Sequence, residues 1–93
     1  MSGEAVERFR TLLEIEDIPL SKVIESTNIN RDRWKNVRDK KAKMTADEVQ
    51  VLSEVFPKYA YWLATGKELP EAGQISPMTN KAQQSYKKAP KVG

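Results

Sequence analysis

The positions of the helix breakers constrain this chain more than any other feature. Pro19, Pro57 and Gly66 cut its first two-thirds into short segments. Asn28 adds a further break, because Asn tolerates a left-handed backbone better than any residue except Gly. Between the breaks, apolar residues recur at helical spacing. Val6, Phe9, Leu12 and Leu13 stand at i, i+3, i+6 and i+7 within residues 4–16. Leu20, Val23 and Ile24 mark a short helix over residues 20–27, which Pro19 can open because its missing N–H has no partner there. Asn30 is a suitable N-cap for a third helix over residues 31–38. Thr45 and Glu48 make a capping box for a fourth, whose stripe is Val49, Leu52, Val55 and Phe56 and which Pro57 ends. A fifth, over residues 59–65, closes at Gly66. With no long period-2 run and no internal repeat, the expectation is all-α: a compact five-helix domain over residues 1–66.

Residues 67–93 read differently. Lysines at 67, 81, 87, 88 and 91, prolines at 70, 77 and 90, and several Gln and Ser cannot supply a core of their own. Ser76-Pro77 suits the start of a brief helix reaching about Lys88. The expectation is a basic, Pro-containing tail, mostly disordered or holding a short helix.

What the chain lacks narrows its function. It contains no cysteine and no histidine. No disulfide framework, thiolate metal cage or Ser–His–Asp site can be built, and its four glycines form no phosphate-cradling loop. No catalytic residue, metal ligand or cofactor is therefore expected. Glu14, Glu16 and Asp17 read as a solvated helix end rather than a carboxylate pair. There is no apolar run long enough for a membrane span and no basic-then-apolar start, so the expected location is the cytoplasm, with no membrane partner.

The net charge of +3 conceals an uneven distribution. Residues 31–43 hold seven basic groups (Arg31, Arg33, Lys35, Arg38, Lys40, Lys41 and Lys43) against Asp32 and Asp39. Such a cluster is the footprint of a polyanion binder, or else a solvated charged helix. Position decides between them. At about 100° per residue, Trp34 and Val37 share one direction on the third helix and serve as its anchors. Asp32, Lys35 and Asn36 then point outward, with Arg31 at their edge. Arg and Lys can donate to guanine, Asn can pair with adenine, and Asp32 can accept from cytosine or hold a neighbour. Arg31, Asp32, Lys35 and Asn36 are thus the candidate base readers. Arg33 and Arg38 on the flanks, Lys40, Lys41 and Lys43 on the following link, and Asn30 at the helix start are candidate phosphate contacts.

Residues 5–66 resemble the lambda-repressor-like (Cro and repressor type) helix-turn-helix family. The matching pieces are Val23-Ile24, the turn Thr27-Asn28-Ile29-Asn30, and Trp34 and Val37 in the helix after it. Phe56 to Lys67 is similar to the closing helix of small phage and prophage regulators, and Gly73 to Pro77 to their endings. Leu20, Ile24 and Asn28 depart from the family pattern, which often has Gln, Ala and Gly at those places. The resemblance implies a small dimeric transcriptional regulator, most often a repressor, that binds double-stranded DNA in a bacterial host.

A homodimer is expected for an independent reason, since one helix reads too few base pairs for specificity. On the fifth helix, Tyr59, Trp62 and Leu63 face inward, leaving Tyr61, Ala64 and Thr65 as the candidate interface. A half-exposed Tyr61 without a partner, or one covered by the tail, is the competing reading. Two other functions remain open from the sequence: a protein-binding module that inhibits a host factor, and an RNA binder.

Overall fold

Three residues other than glycine leave ordinary backbone space so that the chain can turn. Asp17, Asn28 and Lys40 have φ of 55°, 63° and 65°. Each follows a helix, where a left-handed residue lets the next N–H reach back to an open carbonyl. In the computed structural model, which describes residues 2–88, these turns separate α1 (Ser2–Ile15), α2 (Leu20–Thr27), α3 (Arg31–Arg38) and α4 (Ala46–Val55). A single 3-10 turn at Pro57–Tyr59 leads into α5 (Ala60–Thr65), and another at Pro70–Ala72 precedes α6 (Pro77–Lys88).

The expected caps are present. Asn30 Oδ1 accepts the Asp32 amide at 2.6 Å, and Thr45 and Glu48 satisfy each other's backbone N–H groups at 2.9 and 3.1 Å. Gly66, with φ of 80°, ends α5 and returns its N–H to the Trp62 carbonyl. One core joins all of the first five helices. Phe9, Leu12, Val23, Trp34, Val37, Leu52 and Leu63 are fully buried, and Tyr59 and Trp62 close one side. Arg8 on α1 donates through Nε to the Leu63 carbonyl at 3.1 Å, placing its cation beside the negative end of α5.

The fold is all-α, with six α-helices rather than five among the described residues. The segment after Gly66, read from sequence as mostly disordered or holding a short helix, is packed, and the brief helix expected from Ser76-Pro77 to about Lys88 is present as α6. Leu69 and Gln74 form an antiparallel bridge, and the Ile75 amide donates to the Lys58 carbonyl at 3.0 Å. Gln74 spans the start of α5, accepting from the Tyr61 amide and donating to the Pro57 carbonyl. Glu68 accepts from the Ser76 amide at 2.7 Å and the Thr79 hydroxyl at 2.6 Å, fastening the start of α6. Ser76, Pro77 and Asn80 are buried. Composition concealed this because the segment adds little apolar area; its side-chain amide and carboxylate satisfy backbone groups of α5 and α6 instead. Residues 89–93 of the expected tail lie outside the described residues.

The acidic end of α1 also does more than face water. Glu16 is half-buried and accepts the Tyr59 hydroxyl at 2.7 Å, and burial with that carboxylate pushes the phenol well above its ordinary range. Ending the chain at Gly66 removes Ile75 and Pro77 from the core edge. The expected loss is about 2 kcal/mol, or roughly 10 °C in Tm. A melting curve by circular dichroism checks this, and an unchanged Tm would mean that the segment carries no stability.

Candidate nucleic-acid interface

The eight residues of α3 divide cleanly by exposure. Trp34 and Val37 are buried, as the helical angles require. Arg31, Asp32, Lys35 and Asn36 are all exposed and lie together on the opposite face. They present two cations, one carboxylate and one amide over about a turn and a half of helix. Three residues, Asn28 to Asn30, join α2 to α3. Asn28 is left-handed there and returns its N–H to the Ile24 carbonyl at 2.9 Å, a geometry for which Gly is otherwise favoured.

The candidate phosphate groups separate into two kinds. Arg33 does not stand free. Its Nε and Nη2 form a two-pronged pair with the buried Glu48, the Nη2–Oε1 distance being 2.8 Å, and Nη2 also donates to the Lys43 carbonyl at 2.6 Å. Its donors thus fasten α3 to α4 rather than face outward, because the capping-box carboxylate lies within reach. Lys40 pairs with Glu7 of α1 at 2.5 Å, and Arg38 with its neighbour Asp39 at 3.1 Å. Both of those pairs are solvent-facing and can exchange for a phosphate. Lys41 and Lys43 are exposed and in no ion pair among the described residues. Asn30 is exposed but its carbonyl oxygen caps α3, so its amide nitrogen is what remains to offer.

Two supporting residues gave no chemical signal in the sequence. Thr27 accepts the Trp34 indole N–H at 2.8 Å, and Glu48 was legible only as a cap. The bond to Arg33 holds the Glu48 carboxyl below its usual range; burial opposes this, and the Thr45 amide assists.

The proposed dimer face is open. Tyr61 is 36% exposed, and Ala64 and Thr65 are exposed beside it. The adjoining segment touches Tyr61 at the backbone, through Gln74. Ala64 also lines an open apolar groove of about 500 Å³, with Ala5, Met44, Ala46, Val49 and Leu63. No helix among the described residues is long and apolar enough to cross a membrane.

No protein-family model matches the chain, and no curated protein matches it. Among solved structures it is similar to Pf6r from the filamentous phage Pf6 of Pseudomonas aeruginosa PA01. The two are 34% identical with a TM-score of 0.74, and the match covers 89% of this chain and 96% of Pf6r.

The Glu48 clamp carries a pH dependence with a defined sign. A carboxyl depressed in the folded state stabilises above its ordinary value, and the contribution disappears as pH falls through the depressed one. Glu48→Gln is expected to flatten the acid limb of the stability curve. Glu48→Ala also removes the cap and should cost about 2–3 kcal/mol near neutral pH. Urea titrations across the acid range measure both, and parallel acid limbs in parent and Glu48→Gln would refute the assignment.

Proposed function

The chain belongs to the same family as Pf6r, and we propose that it is a sequence-specific DNA-binding transcriptional regulator, a repressor acting at an operator. The observation that carries this reading is the outward face of α3. It collects Arg31, Asp32, Lys35 and Asn36, opposite anchors that leave the helix no other face to present. The succession of α2, a three-residue turn and α3 supports reading them as a lambda-repressor-like helix-turn-helix, in which the second helix enters the major groove.

In this reading Arg31 and Lys35 donate to guanine O6 and N7, Asn36 pairs with adenine, and Asp32 accepts from cytosine N4. Lys41 and Lys43 meet phosphates directly, and the Asn30 amide meets one at the start of α3. Arg38 and Lys40 join them by exchanging their surface carboxylates for phosphate. A second copy places a second α3 about one DNA turn away, with Tyr61, Ala64 and Thr65 at the two-fold axis. The setting is the cytoplasm of a bacterial host.

The apolar groove beside Ala64 favours a second reading, a module that docks on a host protein. Fluorescence anisotropy with duplexes from the DNA flanking the gene separates the two. Specific binding supports the regulator; no binding, with a host protein recovered on the immobilised chain and lost on Val49→Asp, supports the module.

Arg31→Ala and Asn36→Ala should each weaken operator binding by about 1–3 kcal/mol while leaving nonspecific affinity almost unchanged. Lys41→Ala or Lys43→Ala should instead weaken all sequences alike and reduce the slope of log K against log salt by about 0.9. Equal slopes in parent and variants would remove these lysines from the interface. Tyr61→Lys sets like charges facing each other across the axis and should give a folded monomer with weak operator binding. Sedimentation of the parent at tens of micromolar decides this, since a monomeric parent both free and on DNA would end the dimer.

A further inference from the structure

Apart from the Arg33–Glu48 pair that ties it to α4, α3 is held to the rest of the molecule mainly by packing. Two of its eight side chains, Trp34 and Val37, are buried, and Val37 packs without directional preference. The Trp34 ring stacks on Phe9 of α1, with centroids 5.1 Å apart and planes 29° from parallel. Stacking is weakly directional about the ring normal, whereas a hydrogen bond to the indole edge selects one in-plane orientation. The indole N–H supplies what the stack lacks. It donates to Thr27 Oγ1 at 2.8 Å. The hydroxyl's own proton goes to the Val23 carbonyl at 2.7 Å, one turn back in α2, so a lone pair is left facing the indole. The Ile29 amide, in the turn, approaches the same oxygen at 3.4 Å. A single hydroxyl therefore joins α2, the turn and α3.

We propose that Thr27 is a positioning residue for the DNA-reading face: its hydroxyl fixes the in-plane rotation of Trp34, and through it the angle at which α3 presents Arg31, Lys35 and Asn36. The inference rests on the DNA-reading function proposed above, and Thr27 itself touches no base. Base readout demands this kind of control, because a contact displaced by about 1 Å is largely lost. A threonine that only added stability would change how much protein is folded, not what the folded protein prefers.

The test begins by selecting a 30-base-pair duplex from random DNA with the parent protein. Affinities for that duplex and for a scrambled one are then measured at a temperature where circular dichroism shows every variant folded. Thr27→Ser keeps the hydroxyl and should keep the ratio of the two affinities. Thr27→Val removes it and should lower the ratio by about tenfold, roughly one base contact, through the selected duplex alone. Trp34→Phe keeps a ring on Phe9 but removes the donor, and stands in should Thr27→Val not fold; the same loss is expected of it. In DNA-free NMR spectra of Thr27→Val, the Trp34 indole N–H and the α3 amides should move while those of α5 stay in place. Unchanged discrimination in Thr27→Val, or in Trp34→Phe where it stands in, overturns the positioning role and leaves the DNA reading intact. A parent that selects no duplex overturns the DNA reading, and the positioning role with it.

Discussion

Three helices meet at Trp34. Its ring lies on Phe9 of α1, its N–H reaches Thr27 of α2, and its backbone belongs to α3. An eight-residue helix with six polar or charged side chains has no independent stability in water, since nucleation costs more than so few hydrogen bonds return. α3 exists because tertiary contacts hold it, and the indole is the largest of them. Burying a ring of that size is worth several kcal/mol, more than the propensity of the whole segment could contribute. The polar end of the ring costs nothing extra, because a hydroxyl meets it.

Charge around α3 is arranged for two purposes. Formal counting assigns a large positive surplus to residues 31–43, yet Arg33 answers Glu48, Lys40 answers Glu7 and Arg38 answers Asp39. The Arg33 pair differs from the other two. Glu48 is buried and also caps α4, so losing Arg33 strands a desolvated carboxylate, whereas losing Glu48 opens the start of α4 and leaves the guanidinium without its carboxylate. The solvent-facing pairs are weak and exchange readily. Lys41 and Lys43, exposed and in no ion pair among the described residues, sit on the link that Arg33 ties down through the Lys43 carbonyl. Fastening and binding thus occupy adjacent residues of one short stretch.

Helix order, caps and the outward face of α3 were legible because each depends on neighbours in sequence. The Asn30 cap, the Thr45–Glu48 box and the Trp34–Val37 anchor spacing are all local patterns, and all appear as expected. What escaped was non-local. Arg33 was read as a free cation because Glu48, fifteen residues away, was visible only as a cap. Glu16 was read as solvated because its partner, Tyr59, is forty-three residues distant. The helix from Pro77 to Lys88 was legible in its Ser-Pro start, but the packing of the segment before it was not: composition reports apolar area, whereas Glu68 and Gln74 act through hydrogen bonds to backbone. Thr27 was legible only as part of the turn, and its bond to the Trp34 indole was not, since a threonine near a helix end is ordinarily a minor polar residue.

The division of α3 into anchors and outward residues has an evolutionary consequence. Trp34 and Val37 carry the packing and Arg33 carries the tie to α4, so Arg31, Asp32, Lys35 and Asn36 have no structural duty beyond being compatible with a helix. Mutations can accumulate at those four places without passing through an unfolded intermediate. A lineage carrying this scaffold can therefore exchange one recognised surface for another by drift on a single exposed face, while every residue that holds the fold remains as it was.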